Sequence, residues 1–385
     1  MSPYSVSVEG RTLEQKAATY NRIKRRLGYA ELVLGVGYLI ALLLGWPLDL
    51  GHLARARSEV LAVQVLVYFL AGAVIFELIT LPLAVLSGYF VEKWFGLLNQ
   101  EPGSWTADLI KAQLIGLVLG SIAVEILYLF IRLTDRWWWL PAGAAFALFF
   151  ILLAQLAPVV LLPLFFKFKK LPDNELNRRL GNLCQKAGTK VLGIYEWGLA
   201  AKTNRANAAL VGWGPTRRAV LSDSLISGFT VSEVEVVLAH ELGHHKMGHL
   251  WILLFFQCGV TFLAFLLADF LYHSIGPFLG LSRLDEVAGL PLLALAFLIV
   301  GLAAMPAANA VSRGLERKAD LYALRLTGLV GSFISTMERL AAMNLSELTP
   351  HPVIEFLFHS HPSPASRIKA AMDFRRDTRR PDEVH

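Results

Sequence analysis

Six apolar runs, each near the ~20 residues a helix needs to cross a bilayer, constrain this 385-residue chain more than any other feature. They fall at 29–46, 60–90, 112–131, 137–166, 250–272 and 289–307. In hydrocarbon every backbone N–H and C=O must be paired within the chain, so runs of this length are read as helices. Composition agrees. A soluble chain of this length would rarely be 55% hydrophobic with a mean hydropathy of +0.52. The expected fold class is a mainly α, polytopic membrane protein with about six transmembrane helices. Pro82 kinks the second run or ends it early, and Trp137-Trp138-Trp139 reads as an interfacial aromatic anchor of the fourth.

The runs divide the chain into a basic tail at 1–28, four spans in 29–166, a polar segment at 167–249, two spans in 250–308 and a polar or amphipathic end at 309–385. Basic residues orient the spans. The loops 47–59, 132–136 and 273–288 carry five Lys or Arg, the tail carries six, and 167–238 carries eleven. Both termini and the segments flanking spans five and six are therefore expected in the cytoplasm, where the two polar regions can meet. The net charge of +6 flanks apolar runs, so it points to the bilayer surface and gives no sign of a nucleic-acid partner. The first run is long enough to span, which argues against a cleavable signal peptide. Glu77, Glu125 and Asp269 interrupt apolar runs and are expected to face protein or water, in a hydrated cavity or in interhelical hydrogen bonds.

The densest chemistry lies in His240-Glu241-Leu242-Gly243-His244, inside a run that reads as helix. His240 and His244 are four apart and share a face, as two ligands of one zinc must. Glu241, one step round, is placed to take a proton from a water at the metal. Zinc lowers the pKa of such a water to about 7. Chance gives this pattern in roughly one chain in a hundred of this composition; the alternative is a helix with surface histidines. The only cysteines, Cys184 and Cys258, make neither a disulfide framework nor a cysteine zinc site, so ligands must be His and carboxylate. Position 250, where a nearby third histidine would complete an all-histidine set, is Leu. His249 is read as supporting the ligands or as structural.

Three further stretches carry candidates. On a helix, Glu316 and Asp320 share a face; Glu316 can be the third ligand, and Asp320 can accept the other ring N–H of a ligating histidine. The competing reading of Glu-Arg-Lys-Ala-Asp is a solvated charged face. In His359–Ile368, a histidine near the metal and Arg367 can stabilise an oxyanion, or the stretch is a loop before a helix capped by Ser363 or Ser366. Asn204 to Trp213 followed by Arg218 to Asp223 reads as a β-hairpin turning around Gly212–Pro215, whose edge can hold a peptide extended.

These motifs resemble the type I CAAX prenyl protease (sterile-24-like) family of integral-membrane zinc endopeptidases. The shared residues are HELGHHKMGH at 240–249, Asn309 to Asp320, Ser360-His361-Pro362 with Arg367, and Asn207-Ala208 with Arg218 to Asp223. A looser match runs from Leu81-Pro82 through Phe90-Val91-Glu92 to Asn99. The resemblance implies one Zn2+ per chain on His240, His244 and Glu316, a gluzincin-type site, with Glu241 as general base. It further implies that Asp320 orients a ligand, that His361 and Arg367 act on substrate or oxyanion, and that Asn207 and Ala208 bind the peptide main chain. It also implies a helical barrel enclosing a large water-filled chamber, with the zinc near the cytoplasmic rim. The family commonly has seven spans where six are counted here, one being missing between 46 and 60, and position 359 is His where relatives often carry an aromatic.

The chain is therefore expected to be a membrane zinc metalloendopeptidase of the cell inner membrane rather than the endoplasmic reticulum. Its substrate is a prenylated C-terminal tail or, alternatively, an unfolded membrane protein under quality control. A non-catalytic zinc-binding scaffold is the remaining alternative.

Overall fold

The computed structural model describes residues 7–8, 11–45, 49–212, 214 and 217–378. Six helices are long and apolar enough to cross a membrane, as expected, but their ends are set by caps and turns rather than by hydropathy. Helix α1 (Leu13–Leu43) starts well inside the polar tail. Thr12 accepts from Gln15 N while the Gln15 side chain accepts from Thr12 N, a reciprocal cap that fixes the start. Between the first two spans lies only α2 (Leu50–Arg57). Eight residues of helix reach about 12 Å, too short to span. Leu50 and Ala54 of α2 are buried in the core formed by the spans.

Helix α3 (Leu61–Val85) is not ended by Pro82; it continues through a π turn at Leu86–Val91 to Trp94. Helix α4 is Pro102–Thr134. Helix α5 (Trp139–Leu156) likewise runs through a π turn, Ala157–Leu161, to Phe165. The polar segment follows as β1 (Phe168–Lys170), α6 (Glu175–Lys186), β2 (Gly193–Trp197), β3 (Ala208–Val211), β4 (Arg218–Ser222), α7 (Asp223–Gly228) and α8 (Val231–Lys246). Two long helices, α9 (His249–Ile275) and α10 (Leu290–Thr327), complete the spans. The chain ends in α11 (Val330–Asn344), α12 (Pro352–Phe358) and α13 (Pro364–Thr378).

The expected hairpin is present, with Ala208 opposite Leu221 and Val211 opposite Arg218; Trp213 and Pro215 of its turn lie outside the described residues. It is half of a larger sheet. The strand order is β1-β2-β4-β3, with β2 and β4 parallel and the other pairs antiparallel. Strand β3 is left at an edge. Leu180, Leu221, Leu225, Leu238, Leu242 and Ala323 form the core beneath the sheet.

The spans surround an apolar cavity of about 740 Å3 lined by Tyr38, Tyr68, Phe69, Phe146, Phe265 and Phe297. Their outer faces carry exposed Leu78, Val118, Phe255 and Phe270, as lipid contact requires. Two of the intramembrane carboxylates make interhelical hydrogen bonds: Glu77 accepts from Gln113, and Asp269 accepts from Trp138 Nε1 at 2.7 Å. Trp138 is fully buried, so of the three tryptophans it is interior rather than interfacial. Glu125 Oε1 is buried without a partner among the described residues.

Candidate metal centre

Helix α8 is started by a reciprocal cap between Thr230 and Glu233. Its Leu238, Ala239 and Leu242 are buried in the core below the sheet, while His240 and Glu241 line a cavity on another side. Gly243 sits where α8 crosses α10. A Cβ there would lie 3.1 Å from Tyr322 Cδ1 and 3.2 Å from Ala319 Cα. The absence of a side chain lets α10 come close enough to bring Glu316 to the histidines.

His240 Nε2 and His244 Nε2 are 3.0 Å apart. Glu316 Oε2 lies 3.3 Å from the first and Oε1 3.2 Å from the second. Around an ion with ~2.0–2.1 Å bonds in tetrahedral geometry, neighbouring donors stand about 3.3 Å apart. The protonation pattern makes the same case. His240 Nδ1 lies 2.9 Å from Asp320 Oδ1, and His244 Nδ1 lies 2.9 Å from His249 Nδ1. In the tautomer in which those nitrogens donate outward, both Nε2 atoms turn lone pairs toward one point shared with the Glu316 carboxylate, as ligands of one metal would. Glu316 Oε2 is buried without an aligned donor. A cation among the three groups, a proton on His240 or a metal ion, relieves the repulsion between them. Burial opposes a proton on His240, yet Asp320 and Glu316 outweigh it and push its pKa up to about 9. The same negative field draws a metal ion.

Asp320 is itself clamped. Arg367 Nε donates to Oδ2 at 2.8 Å and Nη2 to Oδ1 at 2.5 Å. His361 Nδ1 lies 2.9 Å from Glu316 Oε2, with most of its ring exposed. Glu241 has no hydrogen bond among the described residues. Burial pushes its carboxyl above the usual carboxylate range, against the pull of His240 and His244. A cavity of about 490 Å3 joins Glu241 and the metal group to Asn207, Ala208, His361 and Arg367, and reaches Asn21 of α1.

The cavity wall includes the open sheet edge. Asn207 O accepts from Ser222 N at 2.9 Å. That fixes the ladder's phase, so Ala208 and Leu210 turn their main-chain groups outward. Ala208 N is covered by Asn207 Oδ1 at 2.9 Å; among the described residues Ala208 O and the main chain of Leu210 remain for an added strand.

The structure thus brings all nine sequence-predicted site residues to one cavity or its immediate backing. It also shows roles that the sequence reading missed. Asn309 Nδ2 donates to Leu357 O at 2.6 Å, and Arg313 Nη1 reaches Glu355 O at 2.9 Å and His359 O at 2.7 Å. The two hold the end of α12 and thereby the loop that carries His361. Asp223 Oδ1 accepts from Leu199 N and Ala200 N, pinning the loop after β2. The signal was present, because all three positions belong to the quoted motifs, but their partners are carbonyls and amides that no pattern names.

Bilayer-length helices, a His-His-Glu metal group and an unpaired carboxylate beside it define an integral-membrane metalloprotease. Residues 170–374 match the model of peptidase family M48, and 11–167 match the model described as CAAX prenyl protease N-terminal, five membrane helices. The chain belongs to peptidase family M48. Within 11–167 it has four long helices, with the short α2 between the first two. An uncharacterized metalloprotease of Bacillus subtilis, YhfN, is 32% identical over 78% of this chain and 71% of its own length. CAAX prenyl protease 1 of Saccharomyces cerevisiae is 28% identical over 76% of this chain and 68% of its own. The crystal structure of S. mikatae Ste24p shares the fold, with a TM-score of 0.80 over 93% of this chain and 88% of that one, at 24% identity.

Proposed function

We propose that the chain is a zinc endopeptidase in which His240, His244 and Glu316 hold one zinc ion per chain. The observation that carries this is the convergence of two histidine Nε2 atoms and a buried carboxylate, 3.0–3.3 Å apart, beside Glu241, which has no hydrogen bond among the described residues. Zinc, when bound, supplies Lewis acidity that polarises a peptide carbonyl and brings the pKa of a water to about 7. Glu241 takes the proton from the attacking water and returns it to the departing amine. Asp320 holds the ring of His240 in place through Nδ1. Arg367 fixes Asp320 and adds positive charge to the field on the developing oxyanion, and His361 donates to that oxyanion from the cavity wall. The substrate main chain lies along β3 at Asn207–Ala208 as an added strand. A purely structural metal would not need Glu241. The basic tail and the eleven basic residues of 167–238 support a cytoplasmic active site.

Two substrate classes are supported by separate observations. The apolar cavity among the spans suits a prenyl chain, and relatives in yeast and Arabidopsis thaliana are CAAX prenyl proteases by name. Edge-strand pairing reads main chain rather than side chains, which suits unfolded membrane segments. The test is cleavage of one CAAX-ended peptide, farnesylated and unfarnesylated, by the detergent-purified protein with Glu241→Gln as blank. Cleavage of only the farnesylated form assigns prenylated tails. Equal cleavage of both, or of neither, moves the substrate to unfolded membrane segments. A protein that cuts none of the three above the blank is not the endopeptidase proposed.

A further inference from the structure

We propose that His249 is the positioning residue for His244: a neutral imidazole that accepts the Nδ1–H of the second ligand and so fixes the tautomer and ring plane in which His244 Nε2 faces the metal. The proposal rests on the zinc reading above. A neutral histidine that binds through Nε2 carries its proton on Nδ1, and that N–H must find an acceptor. For His240 the acceptor is Asp320. For His244 the group at hydrogen-bond distance is Nδ1 of His249, 2.9 Å away, with the rings edge to face at a centroid separation of 4.9 Å.

The local fold is built to deliver it. Gly248, at φ +66° in the left-handed region, turns the chain between α8 and α9. The first side chain of α9 is thereby returned beneath the last turn of α8. His249 is 2% exposed and among the largest fully enclosed side chains. Accepting at Nδ1 leaves its own proton on Nε2, and Nε2 is buried without a partner among the described residues. A residue kept only for packing would be an aliphatic or phenyl group, which leaves no buried N–H unpaired. The unpaired nitrogen therefore points to the other one as the reason for histidine at this place. The two ligands are then backed unequally: His240 by a carboxylate clamped to Arg367, His244 by an uncharged ring.

The full-length protein in detergent tests this with His249→Phe, which keeps a ring but no acceptor, and His249→Asn, whose amide oxygen stands close to the place of Nδ1. Zinc affinity is read by competition with a chromophoric chelator, and the site's symmetry by the visible absorption of the Co2+-loaded protein. His249→Phe is expected to bind zinc ~10–100-fold more weakly, the usual effect of removing such a partner, and to shift the Co2+ band. His249→Asn is expected to recover most of the affinity and the native band. Should His249→Phe fail to fold, by gel filtration and thermal transition, His249→Leu takes its place. Native affinity and band in the acceptor-free variant overturn the proposal. So does an equal loss in both variants, which would mark His249 as packing. Zinc binding by the unsubstituted chain is measured alongside; its absence sinks the zinc reading itself and is told apart from failure of His249 alone.

Discussion

The cavity beside the metal group and the cavity among the spans are built on different terms. In the first, polar side chains have specific partners: His240 with Asp320, Asp320 with Arg367, His244 with His249, Asn309 and Arg313 with the end of α12. In the second, about 740 Å3 is lined by aromatic and aliphatic groups, with Glu31 the one charged residue among its described lining. Directional bonds in a buried site fix positions to fractions of an ångström, and losing one leaves a desolvated group unpaired. Apolar packing in hydrocarbon fixes volume and little else. Substitutions near the metal should therefore act on chemistry far more than on stability, and those among the spans the reverse.

The strongest attempt to break this contrast is Glu316→Gln. An amide is a poor zinc ligand, and Oε2 is already buried without an aligned donor. Zinc affinity should fall by more than the ~10–100-fold expected for an outer partner, and cleavage should vanish, while the fold persists. Metal content by mass spectrometry and circular dichroism check it; a variant that keeps its zinc would remove Glu316 from the ligand set. Asp320→Asn comes next. Arg367 would lose its counter-charge and His240 its anionic acceptor, so both zinc affinity and kcat/KM should fall ~10–100-fold, as seen by chelator competition and steady-state kinetics. Undiminished values would show that the clamp is structural only.

Arg313→Lys is a smaller and more selective test. The lysine side chain is one atom shorter, so its ammonium stops short of the place of Nη1, the single nitrogen that bonds both Glu355 O and His359 O. The loop with His361 should loosen while the metal group stays intact. We expect kcat/KM to fall about tenfold, equivalent to ~1.4 kcal/mol of transition-state stabilisation, with zinc content unchanged. Loss of zinc as well would mean that α12 supports the ligands themselves.

The same contrast explains what could be read in the sequence. His240 and His244 stood out because helical periodicity puts them on one face with a Glu between, whereas Glu316 and Asp320 read alone fitted a solvated charged face as well, and the resemblance singled them out. The six spans were legible because hydrocarbon selects for length and apolarity. The start of α1 at Leu13 was not, since hydropathy marks where lipid begins and a cap marks where a helix begins. Strands β1 and β2 were missed for another reason. Phe168–Lys170 is three residues with two lysines, and Gly193–Trp197 pairs with Arg218–Ser222 in parallel, a partner that no local pattern announces. The docking roles of Asn309 and Arg313 depend on where α12 lands, which only the folded chain shows.

The mildest prediction probes the membrane cavity, at Phe297. Its ring meets Phe265 edge to face at 4.7 Å and lines the cavity wall. Phe297→Leu removes ring volume without adding a polar group, at a wall that already borders open space, so it should cost about 1–2 kcal/mol of stability. No chain of hydrogen bonds links this ring to Glu241. For an unlipidated peptide, kcat/KM should stay within about twofold of the native value. A farnesylated peptide gives the sharper result, because a chain seated against Phe265 and Phe297 loses contact when one ring is cut back. Its KM should rise several-fold, with kcat held. A matching change with the unlipidated peptide would show that the two cavities are mechanically joined, through α1, which lines both at Asn21 and Gly28, and the contrast between them would fail.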